Sequence, residues 1–151
     1  MSARISHALR YGRFKRMSPR AFETKLRVIY GDTDQMGVVY YANYFRYFEA
    51  GRTEYFRSCG GTYLEMEKTG FGLPVVHASC DYRVSAKFDD VVVIKTWVDE
   101  LRRASLTFAY EARREADGVL LATGHTIHAC VGERGKPVRL PEAVVQLLTG
   151  S

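Results

Sequence analysis

The stretch from Ala42 to Cys59 most constrains what this 151-residue chain can fold into. At helical spacing, Tyr41, Tyr44, Phe45, Phe48, Tyr55, Phe56 and Cys59 gather on one face. Arg46, Glu54 and Arg57 fall elsewhere, yet Ala42, Tyr47, Ala50 and Gly51 leave even the remaining face only partly polar. A helix that is apolar over most of its circumference has to be wrapped rather than laid on a surface. Gly60-Gly61 ends it where a left-handed residue costs little. Thr62-Tyr63-Leu64-Glu65 then reads as a capping box opening a short helix to about Thr69.

The wrapping has to come from strands, and the flanking sequence supplies them. Phe22 to Tyr30 alternates, with Phe22, Leu26, Val28 and Tyr30 on one side and Glu23, Lys25 and Arg27 on the other. After Gly70, Pro74, Val76, Ala78, Cys80, Tyr82 and Val84 alternate with His77, Ser79, Asp81 and Arg83. Val91 to Leu101 follows a Phe88-Asp89-Asp90 turn, Ser105 to Glu115 alternates most cleanly, and Asp117-Gly118 turns the chain into Val119–Val131. Gly132 to Pro137 is a loop, and Pro141 suits the first turn of a closing helix. Strand, long helix, then strands in hairpin succession predict an α+β domain with an antiparallel sheet curled around the helix.

The length fits one compact domain, residues 21–151, behind a flexible basic leader, residues 1–20. That leader holds Arg4, Arg10, Arg13, Lys15, Arg16 and Arg20, which account for the formal charge of +5. A frayed basic tail is the simpler reading of it than a nucleic-acid contact. Hydrophobic residues at 46% and charged residues at 26% are ordinary globular usage, which argues against disorder. No apolar run approaches the roughly 20 residues that span a bilayer, so the expected setting is the cytoplasm. Cys59, Cys80 and Cys130 are spaced for neither a disulfide framework nor a zinc knuckle. His125, His128 and Cys130 share a strand, but only His128 and Cys130 share its face and no third ligand is indicated, so no metal is expected.

Between the first strand and the helix runs Gly31-Asp32-Thr33-Asp34-Gln35-Met36-Gly37-Val38-Val39-Tyr40-Tyr41-Ala42-Asn43-Tyr44. A carboxylate just upstream of a helix feels its positive end and stays ionised, fit to act as base or nucleophile. The unpaired amides of the helix start, that of Tyr41 above all, suit a carbonyl oxygen gathering negative charge. Gly37 gives the backbone freedom for a close approach. On the residues alone Asp34 is either such a group or a helix cap.

The run Asp32 to Tyr44, with Phe48-Glu49-Ala50-Gly51-Arg52-Thr53-Glu54 after it, resembles the signature of hot-dog-fold thioesterases of the 4-hydroxybenzoyl-CoA and Tol-Pal-associated type, and the similarity covers roughly Lys25 to Pro141. The resemblance implies a hot-dog fold, five antiparallel strands around the long helix, whose protomers join as homodimers or homotetramers with sites at the dimer interface. It implies hydrolysis of an acyl-CoA or acyl-carrier-protein thioester. Asp34 would be nucleophile or general base, the amide at Tyr41 would polarise the carbonyl, and no cofactor would be needed beyond the coenzyme A of the substrate. Where the Tol-Pal-associated branch usually has His, this chain has Tyr41, so a mechanism that needs a His acid there is closed to it. The alternative is a non-catalytic hot-dog module that binds CoA or carrier-protein thioesters.

Arg102 and Arg103, at a turn between strands, resemble the basic pair that holds coenzyme A phosphates in the hydroxybenzoyl branch, with Ser105 assisting; their other reading is solvated turn charge. Glu49 and Arg52, i and i+3 on the helix, read first as an ion pair at a subunit boundary, with Glu49 a reserve acid. Tyr63, Phe71 and Tyr82 suit an aryl or a fatty acyl group equally.

Overall fold

The computed structural model describes residues 20–61, 65–66 and 68–150. Residues 1–19 of the leader, the capping box from Thr62 and the pocket candidate Tyr63 lie outside the described residues. The elements are β1 (Ala21–Arg27), a 3-10 turn (Tyr30–Asp32), α1 (Asn43–Ser58), β2 (Val75–Tyr82), β3 (Val91–Leu101), β4 (Ser105–Arg114), β5 (Leu120–Ala129) and α2 (Glu142–Thr149). They form the expected five-stranded antiparallel sheet around a long helix. Arg20, counted with the leader, donates from Nη2 to the carbonyl of Ser58 at 3.0 Å and so caps the end of α1.

The expectation of strands in hairpin succession needs one correction. The sheet order is β1-β3-β4-β5-β2, so β2 pairs with β5 at one edge instead of with its successor β3. Alternation marks a strand but says nothing of its neighbour. The link from Arg83 to Asp90 is occupied elsewhere: Ala86 accepts from the amide of Val39 at 2.9 Å, and Lys87 bridges to Val38. It crosses from one edge of the sheet toward the other and holds the segment that precedes α1 on its way.

Helix α1 buries Tyr44, Tyr47, Phe48, Gly51, Tyr55 and Phe56. Phe48 stacks on Tyr110 of β4 with centroids 4.5 Å apart, and Tyr55 and Phe56 meet Phe108 edge-on. The helix comes closest to the sheet at Gly51, where a Cβ would stand 2.6 Å from Ile94 Cγ2 and 2.6 Å from Thr96 Oγ1. Several apolar positions expected on a buried face are exposed, Phe22 on β1 and Val76, Tyr82 and Val84 along β2 and just past it among them, and Tyr41 and Tyr30 show why. Tyr41 precedes the helix and is 60% exposed, and Tyr30 leaves β1 for the 3-10 turn and is 78% exposed. In both places the chain turns before the periodicity ends. Tyr47, one of the residues that leave the remaining face only partly polar, is buried.

Candidate active site

Asp32 ties the loop before α1 to the helix. Its carboxylate is buried, accepts from the Tyr47 hydroxyl at 2.8 Å, and pairs with the Arg46 guanidinium. Its carbonyl accepts from the amide of Tyr40 at 2.9 Å and from Asn43 Nδ2 at 2.8 Å. One residue thus ties the loop to the first two turns of α1 through side chain and main chain together. Burial, and then the Asp32 carboxylate, push the Tyr47 phenol above its ordinary pKa.

Asp34 sits two residues on, partly exposed, in a tight hairpin. Its amide donates to Val38 O at 2.9 Å, and its carbonyl accepts from Gly37 N at 2.9 Å. Its Oδ1 accepts from Met36 N at 2.8 Å, and among the described residues no donor meets Oδ2. This is a type I turn closed by a left-handed residue. Gly37 supplies that residue at φ 78°, and a Cβ there would meet nothing within 4 Å. Within the chain its need for glycine is therefore conformational. The Asp34 carboxylate lies near enough to Tyr40 to help raise that phenol's pKa, behind the larger effect of the Tyr41 hydroxyl.

The second arm of the hairpin runs directly into α1, whose N-cap Ala42 makes no side-chain cap bond. Amides of Asn43, Tyr44 and Phe45 bond back to Tyr40, Tyr41 and Ala42. Among the described residues the N–H groups of Tyr41 and Ala42 meet no protein acceptor, as expected of the first turn of a helix. Asp34 and these two donors sit on one continuous piece of backbone. The ring of Tyr82 meets the rings of Tyr41 and Tyr44 edge-on, at 6.2 and 5.3 Å between centroids.

The other sequence candidates lie elsewhere. Glu49 is exposed, two turns down the helix. Arg52 is half-buried beside Tyr110 and His128; burial raises the Tyr110 pKa, which the Arg52 charge partly offsets, and burial lowers that of His128, to which the Arg52 charge adds. Tyr110 OH, Thr126 Oγ1 and His128 Nε2 form a buried chain with separations of 2.6 and 2.8 Å, and His128 Nδ1 lies 3.0 Å from Leu73 O. Burial pushes His128 down to about 4, so the ring is neutral near pH 7. Phe71 is buried in the core.

Arg102 and Arg103 occupy the exposed β3–β4 turn. Arg102 pairs with Glu100, and its amide donates to Ser105 O at 2.8 Å, while Arg103 O accepts from Leu140 N at 2.8 Å. Asp34 belongs to the opposite end of β3, next to the link that precedes Val91. A strand of that length separates the ends by about 30 Å at roughly 3.3 Å per residue. One protomer does not bring these arginines to Asp34.

Sequence reasoning missed Asp32 as the organiser, and it named Tyr82 as a pocket aromatic without its bond to the helix start. Asp32 carried a signal, a second acid with Arg46 and Tyr47 beyond it at helical spacing. The Tyr82 bond carried none, since it reaches across 41 positions. Among the described residues no group of three potential metal ligands comes together.

The family model of the thioesterase-like superfamily matches residues 28–148. An acyl-CoA thioesterase, YbgC, from Haemophilus influenzae is 36% identical over 132 residues, covering 85% of this chain and 94% of that one. A crystal structure of a hypothetical protein, TT1821, from Thermus thermophilus superposes with TM-score 0.80 at 38% identity, covering 85% and 97%. A DHNA-CoA thioesterase from Staphylococcus aureus superposes with TM-score 0.76 at 36% identity, covering 80% of each chain.

Proposed function

This chain belongs to the thioesterase-like superfamily, and from that premise we propose how it hydrolyses acyl-CoA thioesters: Asp34 supplies the base or nucleophile, and the N–H groups of Tyr41 and Ala42 receive the carbonyl oxygen. The observation that carries the reading is that one short hairpin-to-helix segment holds a partly exposed carboxylate with one oxygen and two amides that meet no partner among the described residues. As a base, Asp34 takes a proton from water while the water oxygen adds to the thioester carbon. Negative charge builds on the carbonyl oxygen, where the amides and the helix dipole stabilise it. The C–S bond then breaks, and the coenzyme A sulfur takes up the proton. As a nucleophile, Asp34 adds to the thioester carbon, the C–S bond breaks to release the coenzyme A thiolate, which takes a proton from water, and water then cleaves the mixed anhydride to free acid and Asp34, with the same oxyanion donors serving both steps.

Coenzyme A enters as part of the substrate, and a carrier-protein thioester would present the same reacting carbonyl. No described helix is long and apolar enough to cross a membrane. The free cysteines fit a cytoplasmic setting. Pairing of two copies is supported by the free edge of β2, where Val75, Val76 and Tyr82 are all exposed. With Arg102 and Arg103 about 30 Å away along β3, a phosphate-holding role for them calls for a site shared between copies.

The test is thiol release from a panel of acyl-CoAs by the wild type and Asp34→Asn. The substitution keeps the Oδ1 acceptor and removes the charge, and kcat should fall about 10²–10⁴-fold. An Asp34→Asn protein as fast as wild type on every substrate would refute the assignment.

A further inference from the structure

The Tyr82 hydroxyl donates to the carbonyl oxygen of Tyr41 at 2.8 Å. That carbonyl belongs to the same peptide unit as the N–H of Ala42. Its helical donor, the amide of Tyr44, stands at 3.4 Å, so Tyr82 makes the shorter contact by far. A donor on the oxygen of a peptide draws electron density from its nitrogen and makes the N–H on the other side a stronger donor. The carbonyl of Tyr40, on the neighbouring peptide, accepts a main-chain amide at 2.9 Å and needs no such help.

We propose that Tyr82 is a positioning residue for thioester hydrolysis: its hydroxyl holds and polarises the Tyr41–Ala42 peptide so that Ala42 N–H serves as the second oxyanion donor. The inference rests on the reading of Asp34 and the helix start given above. The ring is braced for this task by edge-on contacts with Tyr41 and Tyr44. Although much of the ring is open to solvent, partial desolvation of the hydroxyl first, then the neighbouring Cys80 thiol, hold the phenol above its ordinary pKa, so it stays protonated and able to donate across the neutral range. Tyr82 closes β2 and is in register with Ala122 of β5, so the sheet rather than the loop fixes its position. The helix start is thereby aligned from outside by a strand that contributes nothing else to the chemistry.

Tyr82→Phe keeps the ring and deletes the bond. The expected result is a kcat about tenfold lower, less than for loss of a direct donor, with KM within about twofold and the melting temperature nearly unchanged. A merely structural role would instead lower stability and leave the turnover of the folded protein intact. A second readout is the amide 15N resonance of Ala42, which should move upfield in Tyr82→Phe as the peptide loses polarisation. Wild-type kcat in Tyr82→Phe, or an unmoved Ala42 resonance, would overturn the proposal. If Asp34→Asn is impaired while Tyr82→Phe is not, only the role of Tyr82 falls; if Asp34→Asn is unimpaired, the site reading beneath it falls as well.

Discussion

Two aspartates two positions apart have opposite fates, and the difference is solvent access. Asp32 is buried and held by Arg46, Tyr47, Asn43 and the amide of Tyr40, while Asp34 keeps one carboxylate oxygen clear of donors among the described residues. The same single-residue logic runs through His128. Neutral His128 donates from Nδ1 to Leu73 O, so Nε2 must accept the Thr126 hydroxyl proton, and Thr126 in turn accepts from Tyr110. Protonating the ring would break this one-way chain next to the Arg52 charge. Because the folded pKa, about 4, lies below the ordinary 6.5, the unfolded chain takes up the proton first. Stability present above pH 6.5 should therefore be lost as the pH falls toward 4, by up to about 1.4 kcal/mol per unit from this group. Urea unfolding at pH 7 and pH 5 checks it, and His128→Gln should flatten the slope. In the sequence, Asp34 could be singled out only through a family resemblance. Either acid in a turn before a helix looks like a cap, and burial separates them only once Arg46 and Tyr47 are seen to fold back.

Among the elements, α1 was the most legible, because seven aromatic or apolar positions at helical spacing leave few alternatives. Its observed span, Asn43–Ser58, lies one residue inside the expectation at each end. The β3–β4 and β4–β5 hairpins were legible as well, from alternation and from Asp117-Gly118. The partner of β2 was not, since nothing local in Val75–Tyr82 points to β5. Why α1 carries a glycine at its middle also required the packing. Gly51→Ala should gain about 1 kcal/mol of helix propensity. It should nonetheless lose more than that, about 1–3 kcal/mol, to overpacking against Ile94 and Thr96, whose nearest atoms stand 2.6 Å from the added methyl. A lower melting temperature is the expected net result, and a raised one would mean that the sheet yields at β3.

At the scale of the molecule, the sheet ends in β2, an edge with apolar side chains in solvent and ladder groups unpaired. If two copies join there, Val76→Lys, at a position 62% exposed in the single chain, should cost the isolated protomer little and shift the sedimentation pattern from dimer to monomer. Activity should fall with it if the site is shared. A dimer that survives this charge would move the interface elsewhere.

The strand order also has a timetable. Helix α1 ends at Ser58 and β2 at Tyr82, but the strands that cover them finish at Ala129. A chain leaving the ribosome therefore presents its most aromatic segment, and an edge with no neighbour, well before their partners are synthesised. An aromatic segment and a sheet edge are thus made early and sheltered late, and such transient exposure is what favours aggregation during synthesis.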